Sequence, residues 1–333
     1  MKSVLKKTVQ YEDSPVSLQE IATADGIMTS FLTESTKTFL SLLPKSHRRI
    51  DAIILIKFPL WQDQIPLADK RTHWDVVLGD AHHLARTFNT PVLTDFIRQY
   101  SSDTPWRTLP TGYGYHSIGR KVSEITVFVN IGRIAEMILC YQKQKQRVLI
   151  SDTGPGTYLI DPAAKEAGCN DGFDRDGSAA SSGALNTEVL EQLLKDDWFT
   201  HPAPKQGSLS HFIRLYYSDY VQVLTPKERL TTMTAFTALA INNFYKRVFS
   251  KTSKPDTIRV AGGGANNQAP VNYLQAYFAP LPVKTVEHIG IPCDCLVPLS
   301  LGLTVQGLLN GQDIFMGGKK SEEHRHLGNW VFP

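Results

Sequence analysis

The sequence predicts an α/β protein with two lobes. Short runs rich in Val and Ile alternate with longer segments whose apolar residues recur at helical spacing, as in that class. Two of the strands run into glycine turns, Asp152-Thr153-Gly154-Pro155-Gly156 and Gly262-Gly263-Gly264-Ala265-Asn266-Asn267, with helical sequence between them. That arrangement suits a nucleotide cleft. At 333 residues the chain exceeds what one hydrophobic core usually serves.

The elements follow in order. Residues 1–14 are polar. From Ser17 to Leu43 the positions Ile21, Ile27, Met28, Phe31, Leu32, Phe39 and Leu42 recur at mostly helical spacing, and Pro44 closes the segment. Asp51–Ile56 is a buried strand ended by Pro59, and residues 60–72 are a loop. A helix covers Val76–Thr87, with His82 and His83 about 100° apart and in exposed or capping positions. Pro91–Thr94 is a short strand leading to Asp95, and residues 100–118 form a long loop. Ile125–Val129, Met137–Cys140 and Val148–Ile150 suggest an antiparallel meander. Thr157–Ala167 is a helix. Asn186 caps another with Val189, Leu190, Leu193 and Leu194 on one face. Thr225-Pro226-Lys227-Glu228 is a helix start with an N-cap, Pro at the first position and a capping box, and the helix runs to Phe249. Thr257–Ala261 is a strand, Val297–Leu309 a helix, and the tail from Gly317 is polar and disordered.

Composition excludes several functions. A net charge of +3, from 35 basic and 32 acidic residues, gives no support to a nucleic-acid or membrane partner. The first residues carry lysines and no apolar core of a signal peptide, so a cytoplasmic protein is expected. Cys140, Cys169, Cys293 and Cys295 lack the spacing of a zinc site and are expected to be reduced structural thiols. The acidic run Asp171–Gly177 lacks the closing Glu of a calcium loop, so no metal ligands are assigned.

The Asp152 stretch carries the chemistry. A carboxylate at the end of a buried strand can take a proton, and backbone N–H groups of a glycine turn can face phosphate oxygens. The alternative is a strand closed by an Asx-type turn, with Asp152 bonding its own loop. The triple glycine offers the same choice between backbone approach to a phosphate and a tightly packed crossover.

Asp152-Thr153-Gly154-Pro155-Gly156, Phe173-Asp174-Arg175-Asp176-Gly177, Pro204-Lys205 and Gly262–Asn267 come in an order that resembles the anhydro-N-acetylmuramic acid kinases and the related levoglucosan kinases. Asn130-Ile131-Gly132-Arg133-Ile134-Ala135 is similar to that family's Asn-Ile-Gly-Gly-Ile-Ala-Asn. The similarity runs from about Leu18 to Gly311. It implies an actin/hexokinase-like (ASKHA) fold with two lobes and phosphorylation of a 1,6-anhydro sugar from ATP with Mg2+, while a water opens the ring. Asp152 would be the base. Gly154, Gly156, Gly262, Gly263, Gly264 and Asn267 would face the nucleotide, and Asp95 and Asn130 the sugar. A homodimer is expected. The domains would be an incomplete N-terminal lobe over 1–125, a C-terminal lobe over 126–316 and a tail over 317–333.

The departures share a direction. The family's first strands and its Gly-Thr-Ser-x-Asp-Gly phosphate loop have no counterpart, and its His-Gly-Gln-Thr aligns with Ile56-Lys57-Phe58-Pro59. The second Gly and last Asn of the Asn-Ile-Gly motif are Arg133 and Glu136. Phosphoryl transfer depends on positioning plus electrostatics whose parts act as a unit. A kinase with weak or lost activity is therefore expected, the alternative being a catalytically inactive kinase-fold protein that binds a ligand or partner. The strand edge left open by the missing strands is expected to be covered by residues 1–14, a second copy or a partner.

Overall fold

The computed structural model describes residues 17–56, 58–67, 70–95, 111–122, 125–141, 147–249, 255–312 and 328–333, and for 58–76 and 147 the backbone alone. In chain order the first elements are α1 (Leu18–Leu42), β1 (Ile53–Ile54), β2 (Phe58–Leu67), β3 (Lys70–Leu78), α2 (Ala81–Phe88), β4 (Val92–Thr94) and α3 (Gly112–Gly119). Then come β5 (Ile125–Ile131), β6 (Ile134–Tyr141), β7 (Arg147–Pro155), α4 (Thr157–Glu166), α5 (Ser178–Ser182), α6 (Thr187–Leu193), α7 (Leu209–Tyr216) and α8 (Asp219–Gln222). The last are α9 (Pro226–Val248), β8 (Ile258–Ala261), α10 (Gln268–Phe278), β9 (Val283–Thr285), α11 (Leu296–Leu309) and β10 (Asn329–Val331).

The chain divides into a unit of residues 1–101 with 326–333 and a unit of residues 102–325. The division falls at 101/102 rather than at the expected 125/126, because α3 belongs with the second unit.

In the first unit α1 begins with a capping box: the Ser17 hydroxyl accepts from the Glu20 N–H while Glu20 reaches back to the Ser17 N–H. Its Ala24, Thr29 and Thr33 are buried. The polar members of that face hold the chain ahead of α2: Asp25 accepts from the Gly79 N–H at 2.7 Å, and Thr29 from the Asp80 N–H at 3.0 Å. β4 pairs in parallel with β1 and antiparallel with β10. Leu55, Ala81, Leu84, Ala85 and Val92 form the core, with Val331 of β10 packed on it. The end of the expected polar tail is therefore a strand. Its signal is weak because its stability comes from pairing with β4, not from its own few residues. Residues 60–72 lie in the antiparallel β2–β3 hairpin, not in a loop, and Val76–Leu78 end β3 rather than begin a helix. Residues 1–14 and Phe96, Ile97 and Arg98 lie outside the described residues.

The second unit carries a five-stranded sheet in the order β7-β6-β5-β8-β9. The first three strands are the expected antiparallel meander, and β8 and β9 add in parallel on the side of β5. This mixed sheet with its crossover helices is the α/β architecture expected. Val127, Phe128 and Val129 are consecutive and fully buried, so β5 is covered on both faces. α9 starts with the expected Thr225 capping box, and its Leu230, Phe236, Ala240 and Phe244 are buried. Residues 112–119, expected in a loop, are α3, where the Cβ that Gly114 lacks would fall 1.8 Å from the Ser300 carbonyl oxygen of α11. The glycines that made the segment look like a loop allow two helices to touch.

Candidate functional site

The β7 strand does not stop before Asp152. It runs to Pro155, so Asp152 is a strand residue and not the first residue of a turn. Strand pairing continues past Asp152 because the ladder with β6 absorbs one extra residue of β7, Thr153, opposite the step from Ala135 to Glu136. The Thr153 hydroxyl donates to the Ala135 carbonyl at 3.0 Å and steadies that bulge.

Register then brings residues together that are distant in sequence. Asn130 of β5 pairs with Glu136 of β6, Glu136 pairs with Asp152 of β7, and on the other side Asn130 pairs with Ala261, next to Gly262. Directly opposed residues share a sheet face. The row thus runs Asp152, Glu136, Asn130 and into the triple glycine. Asn130 Nδ2 donates to Glu136 Oε2 at 3.3 Å. Burial raises the Glu136 carboxyl above its ordinary range, and the Asn130 hydrogen bond pulls it partway back.

A loop grips the other end of the row. The Gly207 N–H donates to Asp152 Oδ2 at 2.7 Å, the Asp152 N–H donates to the Lys205 carbonyl at 3.0 Å, and the Lys205 N–H donates to the Ser151 hydroxyl at 2.9 Å. Lys205 itself is buried. Its ammonium donates to the carbonyls of Trp198 and Phe199, each at 3.0 Å, and lies 3.9 Å from the Trp198 ring centroid. Burial holds this lysine down at about 8, Arg247 adds repulsion, and Asp152 pulls the other way. Gly207 has no room for a side chain, since a Cβ there would lie 2.4 Å from the Phe212 ring.

The glycines assigned to the nucleotide divide into two kinds. Gly156 is structural: a Cβ would fall 2.0 Å from the Gly132 carbonyl oxygen. The N–H groups of Gly156, Thr157 and Tyr158, which open α4, are taken by the carbonyls of Gly132 and Arg133 in the β5–β6 turn. They do not face a ligand. Gly154 has φ of 154°, with Ala240 and Phe199 packed against it. Gly262 (φ 85°) and Gly264 pack on Asn130 and Ile131. Gly263 alone of the three opens to free space. Among the described residues the N–H groups of Gly263 and Gly264 carry no hydrogen bond. Asn267 is spent as a cap: its Oδ1 accepts from the Ala269 N–H, and its Nδ2 donates to the Asp174 carbonyl. Asp174 is buried and accepts from the N–H groups of Ala179 and Ala180 at the start of α5.

Arg133 does not fill the site. Its guanidinium lies over the Tyr158 ring at 4.9 Å. Asp95 belongs to the first unit, at the end of β4, with φ of 58°. Among the described residues no group of His, Cys, Asp or Glu is arranged to hold a metal, and no helix is long and apolar enough to cross a membrane. The four cysteines are free thiols. From sequence Glu136 entered only as a departure from the Asn-Ile-Gly motif and Lys205 only as part of Pro204-Lys205, and Gly207 was given no role. Register sets Glu136 against Asp152, and the loop's contacts with β7 give Lys205 and Gly207 theirs.

A family model described as anhydro-N-acetylmuramic acid kinase matches residues 9–311. The anhydro-N-acetylmuramic acid kinase of Acidiphilium cryptum is 32% identical over 249 residues, covering 73% of this chain and 64% of the relative. That of Caldanaerobacter subterraneus is 29% identical over 206 residues, covering 60% and 52%. The chain thus spans between about half and two thirds of the length of these curated relatives. Among solved structures, the activator of the 2-hydroxyisocaproyl-CoA dehydratase from Clostridium difficile with bound ADPNP aligns with a TM-score of 0.40 at 12% identity, over 64% of this chain and 70% of that one.

Proposed function

The chain belongs to the anhydro-N-acetylmuramic acid kinase family, and we propose that it is an ATP-dependent kinase of a 1,6-anhydro sugar whose turnover is weak. The observation that carries this is the Asp152 carboxylate, held by the Gly207 N–H at one end of a row that leads through Asn130 to the triple glycine. Asp152 takes the proton of the water that opens the anhydro ring, and its fixed hydrogen bond aims the carboxylate before the substrate arrives. Asn130 lies along the same face to orient the sugar. Mg-ATP supplies the phosphoryl group. The free N–H groups of Gly263 and Gly264 and the open space at Gly263 suit a nucleotide phosphate. Asn267, Gly154 and Gly156 shape the site through packing and capping and do not touch the nucleotide.

Weak turnover follows from Glu136. It sets a second carboxylate opposite Asp152, where the family motif has Asn, and a like charge beside the base and the incoming phosphate opposes both. One lost oxyanion-type donor costs about 2.7–4 kcal/mol in rate. The same carboxylate favours a second reading, an inactive kinase-fold module that binds a sugar or partner. A cytoplasmic homodimer is part of the proposal, and sedimentation velocity on the full chain tests its oligomeric state. Release of ADP from Mg-ATP in the presence of 1,6-anhydro sugars tests the activity. Slow turnover that disappears in Asp152→Asn is expected. No turnover by the folded chain with any such sugar would leave the binding module.

A further inference from the structure

Two carboxyl groups stand opposite each other in the second unit's sheet, and only Asp152 has a part in the ring opening. Glu136 of β6 pairs with Asp152 of β7, so both lie on one face. Side chains directly opposed in an antiparallel pair have Cβ atoms about 4.5–5.5 Å apart. Their partners draw these two away from each other. Asp152 Oδ2 takes the N–H of Gly207, in the loop bonded to the edge strand β7. Glu136 Oε2 takes Asn130 Nδ2 from β5, on the opposite side. Hydrolysis at an acetal carbon uses two carboxyl groups set apart, one for the water and one for the leaving oxygen. The surroundings of the two differ as well. Asp152 has an N–H donor, and the Lys205 ammonium lies within its electrostatic reach, which suits a charged carboxylate. Glu136 is half-buried beside an uncharged amide, and burial raises it toward the protonated form. The Tyr115 phenol of α3 is also within electrostatic reach of Glu136, and burial chiefly keeps that phenol protonated. Carboxyls in unlike surroundings divide into base and acid.

We propose that Glu136 is the general acid of a second activity of this site, the hydrolytic opening of a 1,6-anhydro sugar without nucleotide. The substrate class and the base rest on the proposed function above, and the acid rests on the row itself. Asp152 takes a proton from water, and the water oxygen bonds to C1 of the sugar. The C1–O6 bond breaks with its electron pair going to O6, and O6 takes the Glu136 proton. One water is consumed, and the product is the free sugar with hydroxyls on C1 and C6. Exchange with solvent returns both carboxyls to their starting protonation. No phosphate, oxidant or reductant enters the balance. In a kinase of such a sugar, phosphorus captures the leaving O6. Here a proton captures it. Ionised, Glu136 opposes an incoming phosphate, and as an acid it supplies the substitute for one.

Incubation of the full chain with levoglucosan in the absence of nucleotide tests this, with glucose followed by proton NMR against a protein-free control. Glucose should form, and its rate should fall about 100-fold or more in Glu136→Gln, which keeps the length of the side chain and lacks the acidic proton. Asp152→Asn should lose it likewise. Glu136→Asp, a shorter acid, should retain more of the rate than Glu136→Gln, as a proton donor would and a packing residue would not. Thermal midpoints of the variants establish that they fold. ADP release from Mg-ATP with the same sugar is measured in parallel. Glucose formed without nucleotide, together with no ADP release, would support the hydrolysis and remove the kinase assignment. ADP release together with no glucose in the nucleotide-free sample would overturn the hydrolysis and leave the kinase assignment standing. No glucose from the folded parent, or equal rates in the parent and Glu136→Gln, would overturn the proposal.

Discussion

Replacing Gly156 and Gly263 by Ala, one at a time, separates a glycine needed for packing from one needed for a ligand. At Gly156 the new methyl would sit 2.0 Å from the Gly132 carbonyl oxygen and 3.0 Å from its carbon, both backbone atoms. The turn at 132–133 must move away from the start of α4, and the bonds from the N–H groups of Gly156, Thr157 and Tyr158 go with it. Overpacking costs about 1–3 kcal/mol and each of the three lost hydrogen bonds roughly 0.5–1.5, so Gly156→Ala should lose about 2.5–7.5 kcal/mol. For a unit of this size that is a fall in Tm of roughly 5–30 °C. At Gly263 nothing lies within 4 Å and φ is not in the left-handed region, so Ala should change stability by no more than about 0.5 kcal/mol. The assay is thermal denaturation with and without Mg-ATP. A ligand at a hundred times its Kd adds about 2.7 kcal/mol, and Gly263→Ala should lose most of that gain while keeping its ligand-free Tm. A full Mg-ATP shift in Gly263→Ala would refute a phosphate at the triple glycine. A ligand-free Tm unchanged in Gly156→Ala would refute the packing account of the Asp152 stretch.

Other outcomes follow from the same geometry. Because burial raises the Glu136 carboxyl in the folded state, the native chain holds that proton more tightly than the unfolded one, and stability falls as pH rises from the unfolded carboxylate range through the raised folded value. Glu136→Gln should flatten that fall in urea titrations across pH, and a profile identical to the parent's would contradict it. Lys205 shifts the other way: from pH of about 8 up to its ordinary value of 10.5 the unfolded chain binds more protons, so stability rises with pH there. Lys205→Met should abolish that rise, seen as a Tm difference from the parent that changes between pH 8 and 10. Asp161, pushed up to about 6 chiefly by burial, should make the chain lose stability between pH 4 and 6, and Asp161→Asn should remove that loss. Glu136→Asn should increase turnover relative to the parent in the ADP-release assay, and an unchanged or lower rate would show that Glu136 is not what slows it.

Much of the architecture was legible because it is written locally. The Thr225-Pro226-Lys227-Glu228 start of α9 and the Ser17–Glu20 start of α1 satisfy helix ends with their own side chains, so sequence suffices to place them. The β5–β6–β7 meander shows as three β-rich stretches with tight connections. The β2–β3 hairpin escaped notice because Pro59 and Pro66 interrupt its strand pattern and polar residues fill it. β10 escaped notice because β4, from the far end of the chain, gives it a partner. Local rules see neither a distant partner nor a tolerated proline.

The site shows the same division at the level of single residues. Thr153-Gly154-Pro155-Gly156 has the composition of a turn, and a turn would put its N–H groups toward a ligand. Instead the ladder with β6 carries the strand through it, and the glycines serve contacts with Phe199, Ala240 and Gly132. Asp152 was legible as a residue of chemistry because a carboxylate beside a buried strand needs a partner. Which partners it has is a matter of register, and a shift of one residue would turn Glu136 to the opposite face of the sheet. The bulge at Ala135 and Glu136 is therefore decisive. It sets the acid that stands where the family motif has Asn directly opposite Asp152, so one position both lacks a neutral hydrogen-bonding side chain and brings a second carboxyl group beside the first. On the proposed function, that row would keep the means to position a water and a sugar while working against the charge of a transferred phosphoryl group, which is why the proposal is a kinase of weak turnover rather than one whose site is lost.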